Sequence, residues 1–253
     1  RPSEAAIAAE IGRFLMNGAL YRGLRPVMWS PVEKTALAEA EVEYQDREST
    51  TIWVRFPLIG GHWEGASVVI WTTTPWTIPA NQAVACGADI DYALVHVGAV
   101  GEGSRAVVGE RLLVALPLLP AFCAAAGITA HHLDRVLRGA ALAGETCRHP
   151  LHGAGYEAPR PVLVGDFVTT EQGTGFVHIA PDHGEEDFHL GRDHGLHPLG
   201  TVEPDGTYAR HVPGFAGLHV YKAAEPVCAA LAAAGGLLAR ARIVHSYPHS
   251  WRS

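Results

Sequence analysis

The fold class this sequence predicts is mainly β (α+β), with a barrel-like β core and peripheral helices. Between residues 41 and 115 short β-branched or alternating runs follow one another, broken by Gly, Pro or Asp. The regular β–α alternation that announces a parallel α/β sheet is missing. The chain has 253 residues, 48% hydrophobic and 18% charged, enough for one large domain with a sizeable core.

Residues 3–20 place Ile7, Ile11, Phe14, Leu15 and Leu20 at helical spacing behind an N-cap at Ser3, and Gly23 and Pro26 stop that helix. PVMWSP then reads extended. EVEYQDR, STTIWVRFPL, ASVVIWTTT, QAVACG, DYALVHVG, RAVVGE and RLLVAL read as strands. A helix is predicted over 117–126, ended by Gly127. PVLVGDFV and GTGFVHIA add two strands, HGEEDFHLGRDHG and YKAAEPVCAALAAAGG read as helices, and LLARARIVHSY closes the fold. The extended pieces near PVMWS and RIVHSY are expected to pair as a two-stranded stalk, which suits a domain inserted into another. The chain opens on Arg1 and closes on WRS, which reads as two cuts through a longer polypeptide.

Bulk properties narrow the function. Net charge is −7 and only Lys34 and Lys222 are lysines, so any grip on nucleic acid has to be local. No apolar run reaches membrane-spanning length, so no membrane contact is expected, and the first residues lack a signal-peptide pattern. Four cysteines without a C-x-x-C pair suit free thiols in a reducing cytoplasm. The chain has no G-x-x-x-x-G-K-[ST], no G-x-G-x-x-G in a strand–turn–helix setting and no G-x-S-x-G, which argues against an ATP site or a serine hydrolase. Zinc is weighed on two sets, Cys147, His149 and His152, and His178, His183 and Asp187. Neither set has a metal-ligand spacing, and no metal is expected.

Two stretches carry chemistry. WTTTPWTIPAN, 71–81, sets three hydroxyls in a row at the end of a strand, stiffened by Pro75 and Pro79. Strand neighbours point to opposite faces, so at least one of Thr72, Thr73 and Thr74 must face inward and find a partner. A pocket for a small polar ligand would use such groups. GTGFVHIAPDHGEEDF, 173–188, runs a strand to His178, and Pro181 breaks it. Asp182 is expected to cap the next helix, with Glu185 completing a capping box. Asp187, four residues after His183, is expected to share its helix face and to grip a substrate cation.

These two motifs, with the opening YRGLRPVMWSPVEKTALAEAEVEY and the closing HSYPHSWR, resemble the editing (CP1) domain of the isoleucyl-tRNA synthetase family of class I aminoacyl-tRNA synthetases. The resemblance covers nearly the whole chain and is weakest at about 98–145. The TTTPWT block is its most specific part, since valyl and leucyl relatives look like TTRP-x-T, with Arg in place of Thr74. Ser250 stands where many relatives have Cys. The HIGH and KMSKS motifs are absent, so the resemblance implies a hydrolytic fragment without ATP-dependent ligase activity.

The resemblance divides the chain into a helical entry segment at 1–22, an editing domain at 23–245 and an exit segment at 246–253, the outer two leading to the catalytic core of the parent synthetase. It implies a cytoplasmic aminoacyl-tRNA ester hydrolase with no cofactor. The partners it implies are the 3′ end of misacylated isoleucine tRNA and valine or valyl-adenylate, with post-transfer editing as the reaction and pre-transfer editing left open. One methylene gives only ~1–3 kcal/mol of discrimination in an apolar pocket, a magnitude whose reference example is this family's own choice between isoleucine and valine. A second, smaller pocket would then admit valine, exclude isoleucine and hydrolyse the valyl ester.

Residue by residue, Asp187 is expected to bind the α-ammonium. Thr72, Thr73 and Thr74 are expected to line the pocket, holding ester, adenosine or water. His178 is expected to be the wall against isoleucine's extra methylene, with Trp76 nearby. Asn81 either fixes the turn or touches substrate. Of these, Thr72, Thr73, Asp187 and His178 are the expected catalytic set. Positioned water helped by a ribose hydroxyl is favoured over His178 as general base.

Overall fold

The computed structural model describes residues 1–253. Helix α1 (Pro2–Met16) starts with a proline in its first turn, so Ser3 lies inside the helix and does not cap it. All of its residues are exposed or half-exposed, including Ile7, Ile11, Phe14 and Leu15. Two short strands follow, β1 (Trp29–Ser30) and β2 (Thr35–Ala36), paired with each other across a turn in which Lys34 has φ +55°.

The strands of the body are β3 (Val42–Pro57), β4 (Ala66–Thr72), β5 (Ala83–Cys86), β6 (Asp91–Val100), β7 (Arg111–Ala115), β8 (Ile128–Arg138), β9 (Thr146–Cys147), β10 (Arg160–Val164), β11 (Phe176–Ile179) and β12 (Leu237–Ser250). Between them lie α2 (Leu119–Ala126), α3 (Glu185–Asp193) and α4 (Ala224–Ala233). No helix is long and apolar enough to cross a membrane.

The strands do not close into a barrel. They form an open six-stranded sheet in the order β12-β3-β4-β7-β6-β8, and an open four-stranded sheet in the order β11-β5-β10-β9. Both are mixed, since β4 runs parallel to β7 and β5 parallel to β10. Closure would require the outer strands β12 and β8 to find each other, and nothing in a run of β-branched residues encodes that pairing.

The closing strand also takes a different partner from the one expected. Residues 27–31 contribute only the small pair with Thr35–Ala36, and β12 pairs antiparallel with β3 from Leu237↔Val54 to Ser250↔Val42. EVEYQDR and STTIWVRF, read as two strands, are one continuous strand. Its first half pairs with β12 alone, as an exposed two-stranded ribbon, and its second half also pairs with β4 inside the sheet. Exposure on both faces explains why QDRE does not interrupt it. Arg242 meets Glu48 across the ribbon at 3.1 Å.

Strand β3 gives alternate residues to the core, whereas β4 and β7 are buried on both faces over 68–70 and 112–115. Ile52, Val54 and Phe56 of β3 pack with Val68 and Ile70 of β4 and with Leu112 and Val114 of β7. Strand β5 is buried on both faces, which is why AVAC reads as an unbroken apolar run. Val84 and Cys86 belong to the main core, while Ala83 and Ala85 join Leu163, Val168 and Ile179 in a second, smaller cluster. All four cysteines are buried as free thiols. RAVVGE is not a strand: residues 105–110 form loop and turn, with Val107 and Val108 exposed.

Candidate functional site

The threonines come to the site on the end of β4. Thr72, its last residue, lies opposite Ile52 of β3, and Thr51 Oγ1 donates to the Thr72 carbonyl at 3.0 Å. The chain then turns into a 3₁₀ turn, Pro75–Ala80. Thr72 is buried, and its Oγ1 accepts from the Thr74 N–H at 3.1 Å and sits 3.1 Å from Thr74 Oγ1. Thr72 and Thr74 therefore share one side of the chain, with Thr73 half-buried between them.

The second motif is laid directly against the first. The bend before β11 passes close to two neighbours. Gly175, at φ +75°, would put a Cβ 2.3 Å from that of Ala115, and a Cβ on Gly173 would meet the Trp71 ring at 3.1 Å. Only glycine fits both the conformation and the space at 175. Strand β11 then pairs with β5, and the Gln82 N–H donates to the Ile179 carbonyl at 2.8 Å.

His178, the third residue of β11, is buried and reaches Thr77 of the 3₁₀ turn, Nε2 to Oγ1 at 2.9 Å. The Thr77 hydroxyl donates to the Thr74 carbonyl at 2.9 Å, so its single proton is spent there. His178 must then donate from Nε2, which leaves Nδ1 as a bare acceptor, and Nδ1 is buried without a protein partner. Burial, and secondarily the nearby His183, pulls the His178 pKa down to about 4, so the ring is neutral at pH 7.

Asp187 is held from the same strand end. Its Oδ2 accepts from the Ala180 N–H at 2.8 Å. The carboxylate folds back over Gly184, where an added Cβ would lie 2.8–3.0 Å from it. Burial is the main cause that raises the Asp187 pKa to about 6. His183 lies before α3, which begins at Glu185, so the two do not share a helix face as the spacing suggested. His183 instead stands edge-on to Trp76 at 4.8 Å, and burial holds its pKa down.

Asp182 does not cap α3 either. Gly184 occupies the N-cap position without a side-chain bond, and Asp182 accepts from the N–H groups of Leu199, Gly200 and Thr201 and from the Thr201 hydroxyl. Four donors on a distant loop outweigh one local cap. Asn81 is buried, and its Nδ2 ties the turn to the Ala83 carbonyl at 2.8 Å while Oδ1 has no protein partner.

Two distant residues support the turn, His149, which the sequence offered only as a zinc candidate, and Tyr208, which it did not single out. His149 Nε2 donates to the Ile78 carbonyl at 3.1 Å, and its Nδ1 accepts from the Leu151 N–H. Tyr208 donates its hydroxyl to the Trp76 carbonyl. Both sit far away in sequence, and no local pattern marks them. Of the zinc set around Cys147, the thiol is buried, His149 is occupied as described and His152 faces Glu157 at 3.0 Å. Two surface grooves lie elsewhere, one of about 460 Å³ lined by Arg25, Met28, Tyr44 and Glu185 among others, one of about 570 Å³ lined by Lys34, Asp205, Tyr208 and Arg210 among others.

Hydrogen bonds thus link Thr72, Thr74, Thr77 and His178, while Asp187 is bonded at Ala180, two residues past His178 at the end of β11, and Trp76 lies in the same turn as Thr77. The chain belongs to the class I tRNA synthetases (I, L, M and V), whose family pattern matches residues 2–244. Within that family its similarity is to isoleucine–tRNA ligases. It is 56% identical over 267 residues to that of Gluconobacter oxydans, 44% over 254 residues to that of Pelagibacter ubique and 46% over 273 residues to that of Bradyrhizobium diazoefficiens. Each alignment takes in 99% or 100% of this chain, which spans only 27–28% of the relatives' length. Among solved structures the fold is similar to that described as the crystal structure of GlLeuRS-CP1, with a TM-score of 0.57 and 15% identity. That likeness covers 79% of this chain and 100% of the other.

Proposed function

We propose that this chain is the editing domain of an isoleucyl-tRNA synthetase and hydrolyses valine from misacylated isoleucine tRNA. The observation that supports the reading is that one strand end is bonded to both motifs: His178 is tied to the threonine turn, and Ala180 is tied to Asp187. We read His178 as the wall and Asp187 as the anchor. A carboxylate accepts more than one hydrogen bond, so an α-ammonium joins the Ala180 N–H at Asp187. The amine's charge favours the ionised form, offsetting the burial that raises the Asp187 pKa.

His178 is neutral and fixed in one tautomer, which suits a rigid wall better than a base. With a pKa of about 4 it has little affinity for the proton of an attacking water at pH 7. The Thr72 and Thr74 hydroxyls are left to orient ester, ribose or water. Hydrolysis then rests on positioning, and a free ribose hydroxyl of the substrate supplies the remaining proton path. Segments 1–22 and 246–253 are read as the connections to the synthetase's catalytic core, and the cytoplasm as the place of work.

The test is deacylation by the intact polypeptide of isoleucine tRNA carrying either valine or isoleucine. Release of valine with isoleucine spared is the expected outcome. Equal release of both, or of neither, overturns the reading.

A further inference from the structure

We propose that Tyr208 is a positioning residue for the 3₁₀ turn Pro75–Ala80, supplying the hydrogen bond that Pro79 denies to the Trp76 carbonyl and linking that turn to Asp182 and His183. In a 3₁₀ turn each carbonyl accepts from the N–H three residues on. Thr74 and Ile78 follow this rule, accepting from Thr77 and Asn81 at 3.0 Å each. The partner of the Trp76 carbonyl would be residue 79, and Pro79 has no N–H. An unpaired carbonyl in a buried setting costs about as much as a lost hydrogen bond. Tyr208, itself buried and 132 positions away in sequence, donates its hydroxyl there. His149 secures the Ile78 carbonyl from its own side, so the turn is held at two carbonyls by two distant side chains.

Tyr208 is in turn anchored. Its N–H donates to the Leu218 carbonyl, and the N–H of its neighbour Ala209 donates to the Thr201 carbonyl, both at 2.9 Å. Thr201 is the residue that Asp182 grips through backbone and hydroxyl, and its Oγ1 lies 3.2 Å from His183 Nε2. The His183 ring meets the Trp76 ring, which closes a loop running Trp76, Tyr208, Thr201, His183 and back to Trp76. Asp182 and His183 lie between His178 and Asp187 in the chain. The loop therefore sets the distance from the Trp76 side of the site to the acidic side. Burial pushes the Tyr208 pKa up, which keeps the phenol a donor at all working pH values.

The functional part of this inference rests on the editing reading above; the brace itself does not, and the experiment separates them. Tyr208→Phe keeps the ring packed on Phe215 and removes only the hydroxyl. In the intact polypeptide, amide exchange in the peptide covering 72–82 is expected to quicken about tenfold, the size of one lost hydrogen bond. Adding Pro79→Ala, which returns an N–H to residue 79, is expected to restore slow exchange. Unchanged exchange in Tyr208→Phe, or no recovery in the double variant, overturns the brace whatever the substrate is. If the wild type deacylates valyl-tRNA, Tyr208→Phe is expected to lower kcat about tenfold and to narrow the valine-to-isoleucine preference, with recovery in the double variant. Equal loss on both substrates, with preference intact, would mean a stability role alone and overturns the positioning role.

Discussion

His178 and Thr77 are locked in a one-way hydrogen bond: the threonine has spent its proton on the Thr74 carbonyl, so the imidazole donates from Nε2 and keeps Nδ1 bare. Their contact fixes the ring's tautomer and its orientation together. Thr77→Val, which keeps the shape and removes the partner, is expected to destabilise the fold by ~1–3 kcal/mol in chemical denaturation, because it strands a buried N–H. A change under a few tenths of a kcal/mol would mean the contact holds nothing.

His178→Ala removes the wall that the editing reading assigns. Isoleucine ester, spared by the wild type, is expected to be hydrolysed at a rate within roughly 10- to 200-fold of valine, since one methylene is worth only ~1–3 kcal/mol once the steric stop is gone. Persistent sparing of isoleucine in this variant would remove His178 from specificity.

Asp187→Asn should separate function from stability. Loss of the charge is expected to cut valine release roughly 10- to 100-fold, the range of one charge-assisted hydrogen bond. The same change should raise the melting temperature at pH 7. The folded pKa, about 6, lies above the ordinary carboxylate value of 3.8, so the folded state holds this proton more tightly than the unfolded one. That contribution is complete below pH 3.8 and lost as pH rises through about 6, which leaves a desolvated charge at neutrality. A lower melting temperature for the asparagine variant would contradict this account.

Acid should act in the opposite sense through the histidines. His178 and His149 have folded pKa values of about 4 and about 3, and burial also lowers that of His183, against 6.5 for an ordinary histidine. The unfolded chain takes up protons first as pH falls, so stability present above 6.5 is lost from there down towards 3–4. Three histidines outnumber the single opposing Asp187, and melting temperature is expected to fall between pH 6.5 and 4. Activity should show an acid limb near pH 6 in kcat/KM, from Asp187, with no limb from His178.

Gly184→Ala places a methyl group against the Asp187 carboxylate without touching its charge. Valine release is expected to fall about tenfold or more, as the displaced carboxylate leaves the Ala180 N–H, while the fold survives. Wild-type activity in this variant would show that the carboxylate does not need its present position.

The two stretches that meet at the end of β11 stand out in the sequence; the connections between them do not. Runs such as ASVVIW and AVAC betray their strands because burial on one or both faces leaves an apolar signature. β8 leaves none, since only Ile128 and Leu137 of ITAHHLDRVLR are buried on this edge strand. RAVVGE misleads in the other direction, with valines that never leave solvent. Asp182 looked like a helix cap because local spacing is all a sequence displays, whereas its true partners lie 17–19 residues on. The Pro79–Tyr208 relationship is invisible for the same reason: a proline announces a missing donor but not who replaces it.

Strand β3 has a mechanical consequence. Its sixteen residues are one uninterrupted rod, gripped by β12 alone over the outer half and by β4 as well over the inner half. Thr51, near the point where those halves meet, is bonded to the carbonyl of Thr72. A torque applied to the outer end therefore has one unbroken strand to travel along to the backbone carbonyl of the first threonine in the triplet.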